Sequence, residues 1–546
     1  MDRNRDFKNK DFKNKEYKNI YQKAPDIALT VMLVLALAGL GLISYLTVTG
    51  TYLERRFAGQ ASVYISDDPM KQLLVFGIFL LAVLISGAIW DKCCRSQDRA
   101  ADLVLMICTV LSIIAGFAFL NDHPYYMDGD QINTFYAGVY ATEEGARVQY
   151  EMFQPGGYIG IYPQQKGLVM IYYLLYHVFG EDMYNAIQYL HLLYPVLILN
   201  AGYRALKEEK VSPFARIIYC IMILTCVPLY IYIPYMYGDL GSAAFTFCFA
   251  YFLTKYFNTG KALHVIPMCL CGMMAILLRT SSWIFLIAVM IIMALEYLRR
   301  RKVMIFVTGI CALLTASLAG VLVQGYFEEK SGYRDVDGIP AVCWVAMGLQ
   351  ETNGDPGVYN RYNQGTFEAC GFDADKASDV AKDNIRNSIK AFRKDSAHAK
   401  WFFETKLRQE WTSPDMEGLW MTSVWDSKSG TDPIAAPGWL DELYSSGPLY
   451  DNVINFANRY QTVVYLSGVL TVIFLFFRKK SEMPLLTQLS LIYFLGGLLF
   501  FTVWENKSRY ILPYYVFLIV LVPCAVDEVR KIFRGRGRER SYTEPF

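Results

Sequence analysis

The stretch Tyr126-Met-Asp-Gly-Asp-Gln131 sets two carboxylates, Asp128 and Asp130, between aromatic residues and just after an apolar run. A carboxylate kept beside lipid is costly unless it binds or reacts with something. Its natural chemistry is that of a general base, taking a proton from a hydroxyl within hydrogen-bond reach. Cations recur in similar settings. Lys166 ends Tyr162-Pro-Gln-Gln-Lys166, Arg279 divides two apolar runs, and Lys507 and Arg509 lie in Trp504-Glu-Asn-Lys-Ser-Arg-Tyr510. Such groups at headgroup depth suit a phosphate, through charge-assisted hydrogen bonds. Asp128 and Asp130 are therefore the candidate catalytic acids, and the local pattern leaves open which is the base. Arg279, Lys507, Arg509, Tyr162, Lys166, Asp239, Glu505 and Tyr510 are the candidate substrate contacts. Together they would serve a phosphate-bearing lipid donor and a hydroxyl acceptor.

Each residue also has a plainer role. An Asp-Gly-Asp in a loop often caps a helix, and Asp239 could cap one that begins at Leu240. An arginine in a turn between spans usually anchors headgroups, and Lys166 could snorkel. What sets these residues apart is that one topology brings all of them to the same side.

That topology rests on composition. Of 546 residues, 54% are hydrophobic and only 19% charged, which excludes an ordinary soluble globule. Runs near the length needed to cross a hydrocarbon core of about 30 Å recur along the chain. The expected fold is an all-α polytopic membrane protein of about twelve spans plus interfacial or re-entrant helices. The spans are 27–48, 73–90, 103–120, 184–203, 217–235, 237–256, 264–278, 282–298, 303–323, 463–477, 485–504 and 510–526. Residues 1–26 read as a basic cytoplasmic tail. They lack a signal-peptide shape, because the first apolar run is too long and has no small-residue cleavage site.

With the N-terminus inside, the cytoplasmic loops carry Lys92 and Arg95, Arg204 to Lys210, Lys255 and Lys261, Arg299 to Lys302, and Arg478 to Lys480. The tail, 528–546, is also basic and inside, as the positive-inside rule requires. The agreement holds only if Gly167–Gly180 does not cross, and at about 20 Å it is too short to do so. It is expected to lie at the interface. The rest divides into a membrane domain over 27–325 with the acidic first loop at 121–183, an extracytoplasmic loop domain at 326–460, and closing spans at 461–527. The loop domain should carry one helix from about Asp375 to Gln409, stopped at Trp411-Thr-Ser-Pro414. Its tryptophans (344, 401, 411, 420, 425 and 439) need something to pack on. Cys343 and Cys370 could pair there in an oxidising environment. Cys93-Cys94 has no further ligands near it for a metal. Ser427 is expected outside and Lys479 inside.

Met127-Asp-Gly-Asp-Gln-Ile-Asn-Thr-Phe-Tyr-Ala137, then Tyr162-Pro-Gln-Gln-Lys-Gly167 with its helix ending Val178-Phe-Gly180, resembles the GT-C superfamily of integral membrane glycosyltransferases. That group contains the protein O-mannosyltransferases and the aminoarabinose transferase of lipid A. Val227-Pro-Leu-Tyr through Tyr237-Gly-Asp-Leu240, and Ser508-Arg-Tyr-Ile-Leu-Pro513, look like later parts of the same pattern. The resemblance implies a polyprenyl-phosphate-linked sugar donor and catalysis on the extracytoplasmic face of the plasma membrane. The acceptor would be an envelope glycan, lipid or protein, with no nucleic-acid partner. The chain departs from the family in reading Asp130-Gln131 for an Asp-Glu pair and Pro163-Gln164 for a double proline. Two spans also precede the span that leads to the acidic loop. Some relatives use a divalent cation and others none; the few acids placed here favour none.

Ala346-Met-Gly-Leu-Gln350 and Gly357-Val-Tyr-Asn360 resemble outer loops of Gram-positive glycosyltransferases, which points to a cell-envelope glycan as acceptor. The rival readings are a transporter or flippase of lipid-linked glycans, or a polymerase or ligase of them. A transporter keeps its polar site near the bilayer midplane, often between internal repeats. No repeat is visible and the span centres carry few charges, so the enzyme reading leads.

Overall fold

The computed structural model describes residues 3–54, 62–123, 125, 127–141, 151–334, 336–423, 438–445 and 447–541, with side chains from 23 to 534. Among them, eight helical segments are long and apolar enough to cross a membrane. The chain is a multi-pass membrane protein. Among the described residues the only strands are two short antiparallel hairpins, β1 (Gly50–Leu53) with β2 (Val63–Ser66), and β3 (Glu351–Thr352) with β4 (Asp355–Pro356).

The first helices are α1 (Arg3–Thr49), α2 (Pro69–Cys93) and α3 (Gln97–Asp122). Then come α4 (Gly129–Tyr140), α5 (Lys166–Phe179), α6 (Met183–Glu208), α7 (Pro213–Leu224) and α8 (Gly238–Thr259). They are followed by α9 (Val265–Leu278), α10 (Trp283–Arg300) and α11 (Val303–Ser331). The polar region carries α12 (Ala374–Lys394) and α13 (Ser396–Trp411). The chain closes with α14 (Pro448–Phe476), α15 (Leu485–Val503), α16 (Leu512–Ile519) and α17 (Leu521–Ser541).

Four of the twelve expected spans are not among the eight. The run 217–235 breaks after Leu224, where Thr225 and Pro228 intervene, leaving the 12-residue α7. Helix α9 has 14 residues and reaches about 21 Å. Helices α6 and α8 are long enough, but Gln188, His191 and Asn200 in one, and Asp239 and Lys255 in the other, lower their hydropathy. Most of α8 is buried within the bundle, where a helix needs less apolar surface than one facing lipid.

Charge is sorted between the two ends of the bundle. One end holds Asp91 with Arg530 and Arg534, Asp102 with Lys207, Arg216 with Asp98, Arg299 with Asp26, and Arg478 with Glu528. Glu209 accepts from the Leu486 amide, and Asp527 accepts from that of Ser212, joining these groups. At the opposite end lie the acidic loop, Arg279 and the polar region.

Helix α5 stays at that opposite end. Its first residue, Lys166, lies 4.0 Å from Glu328 near the close of α11. The helix that follows it starts beside Tyr125, whose carbonyl accepts from the Tyr184 hydroxyl at 2.6 Å. Both ends of this 14-residue helix therefore make contacts at the same end of the bundle.

In the polar region the expected single helix is two. Asp395 ends α12 and caps α13, its carboxylate accepting from the His398 amide at 2.9 Å. The flanking spans also reach further into this region than the apolar runs predict, α11 to Ser331 and α14 from Pro448. A small core of Ile161, Ile339, Cys343, Ala346, Phe367, Ala377 and Ala381 ties the region to the segment before α5. Cys343 lies in this core and Cys370 packs against it, both as free thiols, so the pairing open to them is not made. Trp411 is fully buried against Phe494, whereas Trp401 and Trp439 remain exposed. Trp425 and Ser427 lie outside the described residues.

Candidate functional site

Asp128 occupies the N-cap position of α4, and Asp130 lies in its first turn. Gly129 between them has φ +53°, a conformation open to glycine at little cost, and it turns the chain into the helix. The turn separates the neighbours. Gln131 points inward, buried, and accepts from the Tyr125 hydroxyl, while Asp130 stays exposed and accepts from the Tyr158 hydroxyl at 2.9 Å. Asp130 is also within electrostatic reach of the hydroxyls of Tyr162, Tyr235, Tyr237 and Tyr510. Asp128 is near Tyr125 instead. Of the two acids, Asp130 therefore faces the remaining candidate residues.

Tyr158 and Tyr162 sit one helical turn apart in the segment before α5, rings 5.1 Å apart. Burial raises both hydroxyls well above the ordinary tyrosine range; Tyr237 and Asp130 add to the shift at Tyr158, and Tyr359 to that at Tyr162. Tyr158 thus stays protonated and donates to the carboxylate, which leaves Asp130 lone pairs for a second donor.

Beneath this rim lie two guanidiniums. Arg279 stands between α9 and α10, and its Nη1 is 2.9 Å from Asp239 Oδ2. Asp239 is fully buried in the first turn of α8 and is not the cap of that helix, a position held by Tyr237. Its neighbour Gly238 makes the pair possible. A Cβ there would stand 1.9 Å from the Leu278 carbonyl oxygen, so glycine lets α8 begin against the end of α9. Arg509 is buried, and its Nη1 donates to the Tyr235 hydroxyl. Both guanidiniums pack on the same two rings. Arg279 lies 4.9 Å from the Tyr510 centroid and 5.7 Å from that of Tyr237; Arg509 lies 5.3 and 5.4 Å from them.

The other cations are already matched. Lys507 lies 3.4 Å from Glu505, which also accepts from the Tyr510 hydroxyl at 3.1 Å, and Lys507 stands over the Tyr359 ring. Lys166 is buried and faces Glu328 of α11. Arg509 differs. Among the described residues no carboxylate comes within ion-pair distance of it, and its Nε has no hydrogen-bond partner. A buried cation with no carboxylate in direct contact is a place for an anion.

The structure therefore brings together Asp130, Tyr162, Asp239, Arg279, Glu505, Lys507, Arg509 and Tyr510, and sets Asp128 and Lys166 to the side. Residue types alone missed Tyr158 and Tyr359 as members of the site, whereas Tyr235 and Tyr237 belong to the polar turn Tyr235-Met-Tyr-Gly-Asp239 that the sequence already marks. A signal was present for the first, since Tyr158 and Tyr162 are four apart and share one helical face. Among the described residues no three His, Cys, Asp or Glu side chains are arranged to hold a metal ion.

The buried pair gives a direct test of the geometry. Asp239→Asn keeps the shape but leaves Arg279 without its carboxylate, and breaking such a pair costs about 3–5 kcal/mol. Thermal unfolding of the purified protein should show a large fall in Tm; an unchanged Tm would mean that the pair is not formed.

No protein-family model matches this sequence, and no curated protein matches it either.

Proposed function

We propose that this chain is a membrane glycosyltransferase of the GT-C type. It moves a sugar from a polyprenyl-phosphate-linked donor to a hydroxyl of an envelope glycan, lipid or protein. One observation supports this above the others: an exposed carboxylate, Asp130, and a buried unpaired guanidinium, Arg509, share a single tyrosine-walled site at one end of a membrane bundle. The resemblance of Met127 to Ala137 and of Tyr162 to Gly180 to that superfamily points the same way.

In this reading Asp130 takes the acceptor hydroxyl proton as its oxygen bonds to the anomeric carbon. The bond from that carbon to the donor phosphate breaks, and the departing phosphate carries the charge. Arg279 and Arg509 face that charge, their positions set before reaction by Tyr235, Tyr237 and Tyr510. Tyr158 orients the carboxylate.

The site end of the bundle is then extracytoplasmic, in the plasma membrane, and both termini are cytoplasmic. The basic end satisfies the positive-inside rule in that orientation. Single cysteines at Ser427 and Lys479, in a protein otherwise free of reactive thiols, should label from outside and inside respectively; the reverse would overturn the orientation. The function itself is tested in proteoliposomes loaded with a radiolabelled polyprenyl-phosphate sugar and an envelope-glycan acceptor. Label passing to the acceptor supports the proposal. Label crossing the bilayer while still on its lipid would show a flippase instead.

A further inference from the structure

The segment 504–510 runs extended as far as Lys507 and then enters a short 3-10 helix, Ser508–Ile511. Glu505, Lys507 and Arg509 face the site, while Trp504, Asn506 and Ser508 are fastened to the polar region. The fastening is dense. Trp504 stacks on Trp344, centroids 5.7 Å apart and planes within 3°. The Asn506 amide donates to the Gly357 carbonyl at 2.8 Å, and its side chain donates to the Pro356 carbonyl at 2.8 Å and to Gln409 Oε1. Glu417 accepts from the Ser508 amide at 3.3 Å.

At the centre is Lys406 of α13, fully buried, whose Nζ donates to the Gly348 carbonyl at 2.7 Å and to the Trp504 carbonyl. We propose that Lys406 is a positioning residue: by holding the Trp504 carbonyl against the polar region it sets where Arg509 stands, so that this region governs the donor-phosphate subsite. The inference rests on the reading of that site given above.

Stability is a poor reason for this lysine. Burial pulls its ammonium down to about 8, opposed by Glu410 one turn along α13 and by Glu505. Glu410, also buried, is pushed up by its own burial, with Lys406 lowering it and Glu417 raising it. A folded-state value below the unfolded one means that the fold gains stability as pH rises from about 8 toward the ordinary lysine range. The charged form at neutral pH is thus a cost to folding, and its two carbonyl bonds are what it supplies.

The test uses the full-length protein in detergent with a short-chain polyprenyl phosphate, carrying no sugar, as probe. Hydrogen bonds to a charged donor are worth about 1.5–3 kcal/mol, so Lys406→Met should weaken probe binding roughly 10-fold or more at pH 7. Wild-type affinity should fall toward the variant's between pH 7 and 9.5, as Lys406 loses its proton, while the variant's profile stays flat. Amide exchange across 504–510 should quicken in Lys406→Met, with α10 and α14 unchanged. Wild-type affinity and wild-type pH dependence in the variant would overturn the proposal, as would unaltered exchange over 504–510. Faster exchange with no probe binding by the wild type would leave the clamp standing and overturn the reading of the site. The wild-type pH series needs no variant to fold.

Discussion

Sugar transfer by Asp130→Asn in proteoliposomes is expected to fall by about 10²–10⁴-fold, the range a positioned general base contributes. The substitution keeps the size of the side chain and an oxygen that can accept from Tyr158. Asp130 is exposed and its partner is a neutral hydroxyl, so the fold has little to lose from the change. The monodispersity and Tm of the variant should therefore match the wild type, separating lost chemistry from lost structure. Asp128→Asn is the control. Asp128 lies at the helix cap, beside Tyr125, and its replacement should leave most of the activity. Full activity in Asp130→Asn would remove this carboxylate from the mechanism, and a reversed ranking would exchange the roles of the two acids.

The second large effect is expected at Arg509. Removing one preorganised donor from developing charge typically costs about 10²–10³-fold in kcat. Arg509→Gln keeps hydrogen-bonding capacity near Tyr235 but removes the charge, so transfer should fall in that range and probe affinity should fall with it. Arg509→Lys restores the charge without the planar fork and should recover only part of the loss. Arg279→Ala should weaken donor use less, since Asp239 already offsets that guanidinium. Equal donor affinity across wild type and all three variants would show that the buried cations serve the fold, through Asp239 and the tyrosines, and not the donor.

Much of this arrangement is local and therefore legible in the chain. The long apolar runs, the basic loops between them and the shortness of Gly167–Gly180 are properties of contiguous residues, and hydropathy and length read them directly. The span count was harder. Runs such as 217–235 are apolar throughout but contain Pro228, and apolarity alone cannot say whether a helix continues through such a point. Helix α8 is the converse, polar residues in a helix that the surrounding bundle covers.

The candidate residues divide in the same way. The Asp128–Asp130 pair and Arg279 stand out as charges flanked by aromatic and apolar residues. Nothing near Asp239 in the chain announces that its partner is 40 residues away, or that the tyrosine touching Arg509 is 274 residues away. Lys406 reads as one more charge on a polar helix, and only packing shows it buried against the carbonyl of Trp504.

Residue order alone thus established a membrane bundle with sorted charge and an acidic loop at one end, because hydropathy, charge and helix length act over one or two turns. Tertiary packing decided which acid faces the tyrosines that hold the arginines, which cations are neutralised and which one is left open. Those outcomes depend on distances between helices far apart in the chain, and burial there turns an ordinary ion pair, or the lack of one, into a strong preference.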